Sequence, residues 1–280
     1  MPYIVFFTIL LASFFQAFWN FFTKKSLADK TSLLIVGWLS FGIILLPAFL
    51  YYEDLSLISN EVWALTALSC VIHASYIFFL GWGYSVADLS TLYPIARGCG
   101  VALTSTLYLF IFDESLSWQG ILGISSIVGG TVFIGLHSID RVSLKGFVAA
   151  LLVSCSIASY SLMDSFLINK VSLLFYLTVT SLGAGFLSIF IYQKKWGRIV
   201  SVLKYNKKEI SIIAVGGNFS YIVMLWAFTQ VKAPYVVALR EFSIVVASFL
   251  AYVYLKEHFY RSKWLGVGFI FIGLVVLKLA

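Results

Sequence analysis

Apolar residues fill this chain in long runs, broken at intervals by short polar clusters. Ten runs stand out, at about 3–22, 31–51, 61–82, 90–111, 117–137, 145–167, 173–192, 209–230, 234–255 and 263–279. Each approaches the roughly 20 residues that a helix rising about 1.5 Å per residue needs to cross a hydrocarbon layer near 30 Å thick. Hydrophobicity that is continuous over such lengths, rather than alternating over about ten residues, predicts helices and not the strands of a barrel. The first run has no basic leader and no small-residue cleavage pattern, and it carries Gln16 and Asn20. It therefore reads as a span of the mature chain rather than a signal peptide.

Composition strengthens that picture. Of 280 residues, 61% are hydrophobic and only 11% charged, where a water-soluble domain carries about 25% charged residues. The expectation is an all-α integral membrane protein of ten transmembrane helices. A net charge of +7 does not point to nucleic acid, because the basic residues sit in the short loops between runs. Cys70, Cys99 and Cys155 stand singly in apolar segments with no metal-ligand spacing, so they read as small buried side chains. No zinc-hydrolase, nucleophile-elbow or phosphate-loop motif occurs, which argues against an enzyme and gives no cofactor.

The loop charges set an orientation. The loops after runs one, five, seven and nine hold Lys24, Lys25, Lys30, Arg141, Lys145, Lys194, Lys195, Arg198, Lys204, Lys207, Lys208, Lys256, Arg261 and Lys263. The opposite side has Lys170, Lys232 and Lys278, with Glu53, Asp54 and Glu61 among them. By the positive-inside rule the fourteen face the cytoplasm and both termini lie outside.

The chain also resembles itself. At an offset of 143 residues, Arg97 falls on Arg240, Glu114 on Glu257, Gly123 on Gly266 and Gly130 on Gly273, with no gap from 97 to 133. Two five-span units, 1–137 and 145–280, are expected. Because five is odd, tandem copies cross the membrane in opposite senses, the inverted-repeat plan of many secondary carriers.

The segments "YPIARGCGVALTSTLYLFIFDESLSWQGILGISSIVGG" and "ALREFSIVVASFLAYVYLKEHFYRSKWLGVGFIFIGL" resemble the signature repeats of the drug/metabolite transporter superfamily, EamA type. In both, a fourth helix leads through an acidic turn to a glycine-bearing fifth. The resemblance implies a ten-helix fold in a bacterial inner membrane and transport of small organic metabolites without ATP hydrolysis. It also implies cytoplasmic termini, against the loop charges, and the charges are preferred here.

Ionisable groups inside spans face a cavity or a partner, since exposing them to lipid costs at least about 2.5–3.5 kcal/mol. Arg97 and Arg240 occupy matching depths in spans four and nine, and a planar guanidinium suits carboxylate or phosphate oxygens. The plainer alternative pins each arginine structurally, Arg240 to Asp164 for example. Gln16 and Asn20 share one helix face, as do Tyr160 and Asp164. Asp164 is a candidate for proton coupling or for binding an amine. Tyr76, Trp82, Tyr93, Tyr108 and Tyr221 lie deeper in the spans or flank the polar positions and could wall a pocket or face lipid or core. Glu241, next to Arg240, points about 100° away around its helix, toward a neighbouring helix or the substrate. His73 reads as a satisfied histidine near an interface, the alternative being a pH-responsive group, and Glu114 and Glu257 as caps of the following helices, the alternative being gating. Ser125, Ser126, Gly129 and Gly130 on span five, with Gly266, Gly268 and Gly273 on span ten, read as close helix contacts. Pro94 and Pro234 are hinges or helix starts.

The leading expectation is a secondary carrier of a small polar solute with an anionic group, coupled to protons or a counter-substrate, working as a monomer or homodimer in the lipid bilayer. The alternative is an exporter of amines, amino acids or drugs in which Asp164 and aromatic side chains matter most. A non-transporting receptor or scaffold is more remote.

Overall fold

A computed structural model describes residues 1–139, 143–256 and 261–280. Arg141 and Glu257 lie outside those residues. Among the described residues ten helical spans are long and apolar enough to cross a membrane, and the chain is an all-α integral membrane protein. Seven spans are single helices: α1 (Tyr3–Lys25), α2 (Lys30–Tyr52), α3 (Asn60–Val86), α4 (Leu89–Ile111), α5 (Trp118–Ile139), α6 (Leu144–Leu167) and α7 (Leu173–Tyr192). Then α8 (Trp196–Tyr205) intervenes, with Ile199 and Val202 buried and its basic residues exposed. The eighth span joins α9 (Lys207–Ile212) to α10 (Asn218–Phe228) through a π-helical turn at Ile213–Gly217. The ninth is split into α11 (Ala233–Leu239) and α12 (Phe242–Leu255), and α13 (Arg261–Leu279) is the tenth.

Helix starts follow local chemistry. Asp29, Ser59, Ser143 and Ser172 each accept a backbone N–H with their side chains, filling one donor that a first turn leaves open. Pro234 opens α11, whereas Pro94 lies inside α4. Large apolar side chains such as Phe7, Ile44, Phe190 and Phe249 remain exposed on the outside of the bundle, as lipid-facing surface requires.

Small residues govern the closest crossings, because lipid provides no hydrophobic force to bring helices together. A Cβ on Gly130 would stand 2.6 Å from the Gly266 carbonyl oxygen, and one on Gly123 3.0 Å from that of Gly273. Ser126 donates to the Phe269 carbonyl, 2.8 Å, across the same α5–α13 contact. Gly129 and Gly268 face open space and Ser125 is exposed, so these three do not belong to the seam. Between α2 and α7, Leu39 fills the space at Gly185 and Leu182 the space at Gly42. Both contacts are reciprocal at the 143-residue offset, Leu39 matching Leu182 and Gly42 matching Gly185. Asp113 and Lys256, also 143 apart, are the non-glycine residues with positive φ among those described, at 50° and 55°. Helix α6 packs against α3 and α4, and α1 against α10 and α12. The chain ends meet: Lys278 Nζ donates to the Met1 carbonyl, 2.6 Å.

Candidate functional site

Where α1, α2, α3, α6, α10 and the ninth span converge, a small chamber forms. Gln16, Trp19, Trp38, His73, Tyr76, Tyr160, Gly217, Tyr221 and Arg240 wall it. Each of these residues is buried. About 20 Å³ is open to a water-sized sphere, room for roughly one water.

The break in the ninth span places Arg240. Its neighbours bond three residues apart rather than four: Glu241 N–H to the Ala238 carbonyl (3.0 Å), Ser243 N–H to Arg240 (3.0 Å) and Ile244 N–H to Glu241 (2.9 Å). Such tightened turns within a helix mark hinges or functional sites. Arg240 donates from Nη2 to Gln16 Oε1, 2.7 Å, and from Nη1 to Met224 Sδ. Gln16 Oε1 also accepts from Ser220 Oγ, 2.9 Å. Arg240 thus has neutral partners, and its Nε–H has none among the described residues.

Arg97 is placed differently. It does not wall the chamber but extends from α4 to Glu241, with Nη2 to Oε1 at 2.7 Å and both side chains buried. Glu241, which its helical position alone turns away from Arg240, therefore belongs to Arg97. The flanking Gly98 and Gly100 let α4 close onto Thr131 of α5 and Ile157 of α6. Tyr93 packs its ring beneath the Arg97 guanidinium, 5.8 Å to the centroid, and hydrogen-bonds Ser243 Oγ at 2.9 Å.

Asp164 is not bonded to Arg240. It is fully buried and accepts from Tyr176 (2.6 Å) and Tyr221 (2.8 Å). His73 Nε2 lies 3.7 Å from Asp164 and 3.1 Å from the Tyr221 hydroxyl, while Nδ1 lies 2.9 Å from the Ser69 carbonyl oxygen. The histidine is thus part of the chamber and not of an interface, which its position in an apolar run did not disclose. Tyr160 stacks near His73, with ring centroids 5.0 Å apart. Asn20 bonds Tyr84 and the Gln16 carbonyl and stands away from the chamber.

Of the residues read from sequence, Gln16, Tyr76, Tyr160, Tyr221 and Arg240 wall the chamber. Asp164 stands one hydrogen bond behind it, and Arg97, Glu241, Tyr93 and Asn20 form the supporting layer. Trp19 and Trp38 were not legible as chamber walls, since an indole in an apolar helix looks the same facing lipid or cavity.

Glu114 does not cap α5. It accepts from Tyr108 (2.9 Å) and pairs with Lys232 (2.9 Å) at the rim of an open depression, and these bonds hold its carboxyl below the ordinary range. Ser117 caps α5 through Gly120 N–H, 3.1 Å. Near the basic loops, Asp29 accepts from Ser32, Tyr192 and Arg198. Burial pushes the Asp29 carboxyl up, but these bonds outweigh it and hold it below its usual value.

Residues 144–279 match the EamA-like transporter family, a family of transporters rather than enzymes. The chain is 32% identical over 66 residues to "Multidrug resistance protein EbrB" of Bacillus subtilis (strain 168), which is 22% of this chain and 56% of that protein. It is 33% identical over 54 residues to the protein of the same name in Bacillus atrophaeus, 19% of this chain and 46% of that one. The chain thus spans about half the length of these curated relatives. A solved crystal structure superposes over 99% of this chain and 96% of its own, with a TM-score of 0.69 at 15% identity. That likeness concerns the fold.

Proposed function

From the match of residues 144–279 to the EamA-like transporter family, we infer that the chain is a secondary carrier of a small organic solute bearing an anionic group. The observation that carries this reading is the charge count of the chamber. Arg97 is matched by Glu241, whereas Arg240 reaches the chamber with only Gln16 and Met224 as partners and an unused N–H. Asp164, the other buried carboxylate here, acts on Arg240 only across space and is not bonded to it, so an anionic group beside Arg240 supplies the directly bonded partner that a buried guanidinium lacks. Its planar fork takes carboxylate or phosphate oxygens in pairs, while Trp19, Trp38, Tyr76 and Tyr160 offer apolar faces to the rest of the solute.

Two inverted five-helix units, 1–137 and 145–280, remain our reading of the architecture. The reciprocal α2–α7 and α5–α13 contacts and the matched left-handed residues support it. So does the exchange by which each unit's first helix packs on the other unit's third and fourth spans. The chamber then opens to the two membrane faces in turn as the units rock.

Uptake or efflux in proteoliposomes tests the reading. Arg240→Lys is expected to fold as the native chain does and to lose transport of anionic solutes, because an ammonium lacks the fork. Native transport by Arg240→Ala overturns it.

A second reading is an exporter of cationic or amine compounds. The aromatic walls with Asp164 behind them favour it, and the EbrB proteins' name is in keeping with it. Competition between anionic and cationic solutes of one ring skeleton separates the two.

A further inference from the structure

The hydrogen bonds around Asp164 can be counted proton by proton. The Tyr176 hydroxyl gives its hydrogen to Asp164 Oδ1, so in its 2.7 Å contact with Ser69 Oγ it accepts the serine hydrogen. The His73 Nδ1 lies 2.9 Å from the Ser69 carbonyl oxygen and 3.2 Å from Ser69 Oγ, both of which can then only accept, so Nδ1 carries a hydrogen. In a neutral imidazole Nε2 is then an acceptor. The Tyr221 hydroxyl lies 3.1 Å from that Nε2 and 2.8 Å from Asp164 Oδ2, and it has one hydrogen for two acceptors. The Tyr176 hydrogen does not help, because it is committed to Oδ1 at 2.6 Å.

One additional proton completes the chain in two equivalent ways. With imidazolium, Nε2–H donates to Tyr221, which donates to the carboxylate. With neutral imidazole, Tyr221 donates to Nε2 while a protonated Asp164 donates to Tyr221. Both forms carry the same number of protons and no net charge. Without that proton the triad carries one negative charge and leaves one acceptor unmet.

We propose that His73, Tyr221 and Asp164 form a proton-binding site that takes one proton from water, and that its occupancy sets the charge against which Arg240 binds solute. This rests on the carrier reading above. Charged groups elsewhere around Asp164 leave the count unchanged. Cys70 of α3 and Tyr160 of α6 are neutral, and Arg97 of α4 is matched by Glu241. Arg240, acting electrostatically on Asp164, is the remaining charge. With the triad loaded the chamber is positive and favours an anion. With the triad empty, its negative charge offsets Arg240 and the anion loses its counter-charge. Proton and anion therefore bind together and cross in the same direction.

The sign is testable without a known substrate. Labelled-histidine NMR on a chain carrying His137→Gln and His258→Gln leaves His73 as the observed imidazole. The expected result is an Nδ1–H ring whose Nε2 exchanges its proton with falling pH, and which stays neutral throughout once Asp164→Asn is added. A triad in which His73 stays neutral and a carbon-labelled Asp164 carboxyl stays ionised over the same pH range overturns the proton site, whether or not the variant folds.

Calorimetry with benzoate and benzylamine, in buffers of differing ionisation enthalpy, tests the coupling. Benzoate is expected to bind with uptake of one proton, its affinity falling about tenfold per pH unit above the site's titration. Benzylamine binding that strengthens with rising pH, with benzoate inert, keeps the proton site and overturns both the anion reading and co-movement. Benzoate binding independent of pH overturns the coupling while leaving the anion reading standing. If neither probe binds, the anion reading loses its support, and the titration of His73 and Asp164 together still decides the proton site.

Discussion

Arg97 and Arg240 occupy equivalent positions in the sequence and unequal ones in the structure. Position 241 is glutamate, while its counterpart at the 143-residue offset is Gly98, so a carboxylate is available to one arginine and not the other. Arg97 is closed into an ion pair and Arg240 is left to the chamber. Removing one partner of a buried pair strands the other's charge, so Arg97→Ala and Glu241→Gln are each expected to lower stability by roughly 3–5 kcal/mol. Replacing both together, as Arg97→Met with Glu241→Leu, is expected to recover most of that loss. Thermal unfolding in detergent, read beside transport, checks this: Arg240→Lys should keep its melting temperature and lose function. An Arg97→Ala chain as stable as the native one, but inactive, would place Arg97 among the solute ligands instead.

At the scale of elements, the α5–α13 crossing rests on particular glycines. A methyl on Gly130 meets the Gly266 carbonyl, whereas one on Gly129 meets nothing within 4 Å. Gly130→Ala is therefore expected to destabilise by about 1–3 kcal/mol through overpacking, and Gly129→Ala to be neutral, both by thermal unfolding. Helix α8 is tethered through Arg198 to Asp29, 3.0 Å. Because the folded Asp29 carboxyl titrates below its unfolded value, this tether is fully present above the unfolded value, about 3.9, and is lost as pH falls through the lower, folded one. Asp29→Asn is expected to reproduce the loss at neutral pH, seen as faster amide exchange across residues 196–205.

For the whole molecule, the basic loops and the amphipathic α8 lie at one end of the bundle, and the joined termini at the other. An apolar face with Ile199 and Val202 buried and basic side chains exposed suits a helix at an anionic leaflet. By the positive-inside rule, α8 is predicted to lie in the cytoplasm and the termini outside. A cysteine introduced as Lys204→Cys is expected to resist an impermeant thiol reagent in intact cells and to react after permeabilisation. Ready labelling of intact cells reverses the orientation and agrees with what the family resemblance implies.

The solvent and the spans could be read from the residues alone, and the 143-residue offset gave the expectation of two units. Hydrocarbon forbids unpaired backbone groups, so runs of about twenty apolar residues have one way to fold, and each expected run became a span to within a few residues. The sequence also identified the polar residues worth watching, since few reasons exist to keep Arg97, Asp164 or Arg240 in an apolar helix. Tertiary structure decided the rest. Which arginine is paired depends on how α4 meets the broken ninth span, an interhelical distance that no helical periodicity encodes. The bond of His73 to Tyr221 joins residues 148 apart, and Trp19 and Trp38 are recognisable as walls only once six spans converge. Side chains with the same local pattern became lipid contacts, seams or chamber according to which helix stood opposite them.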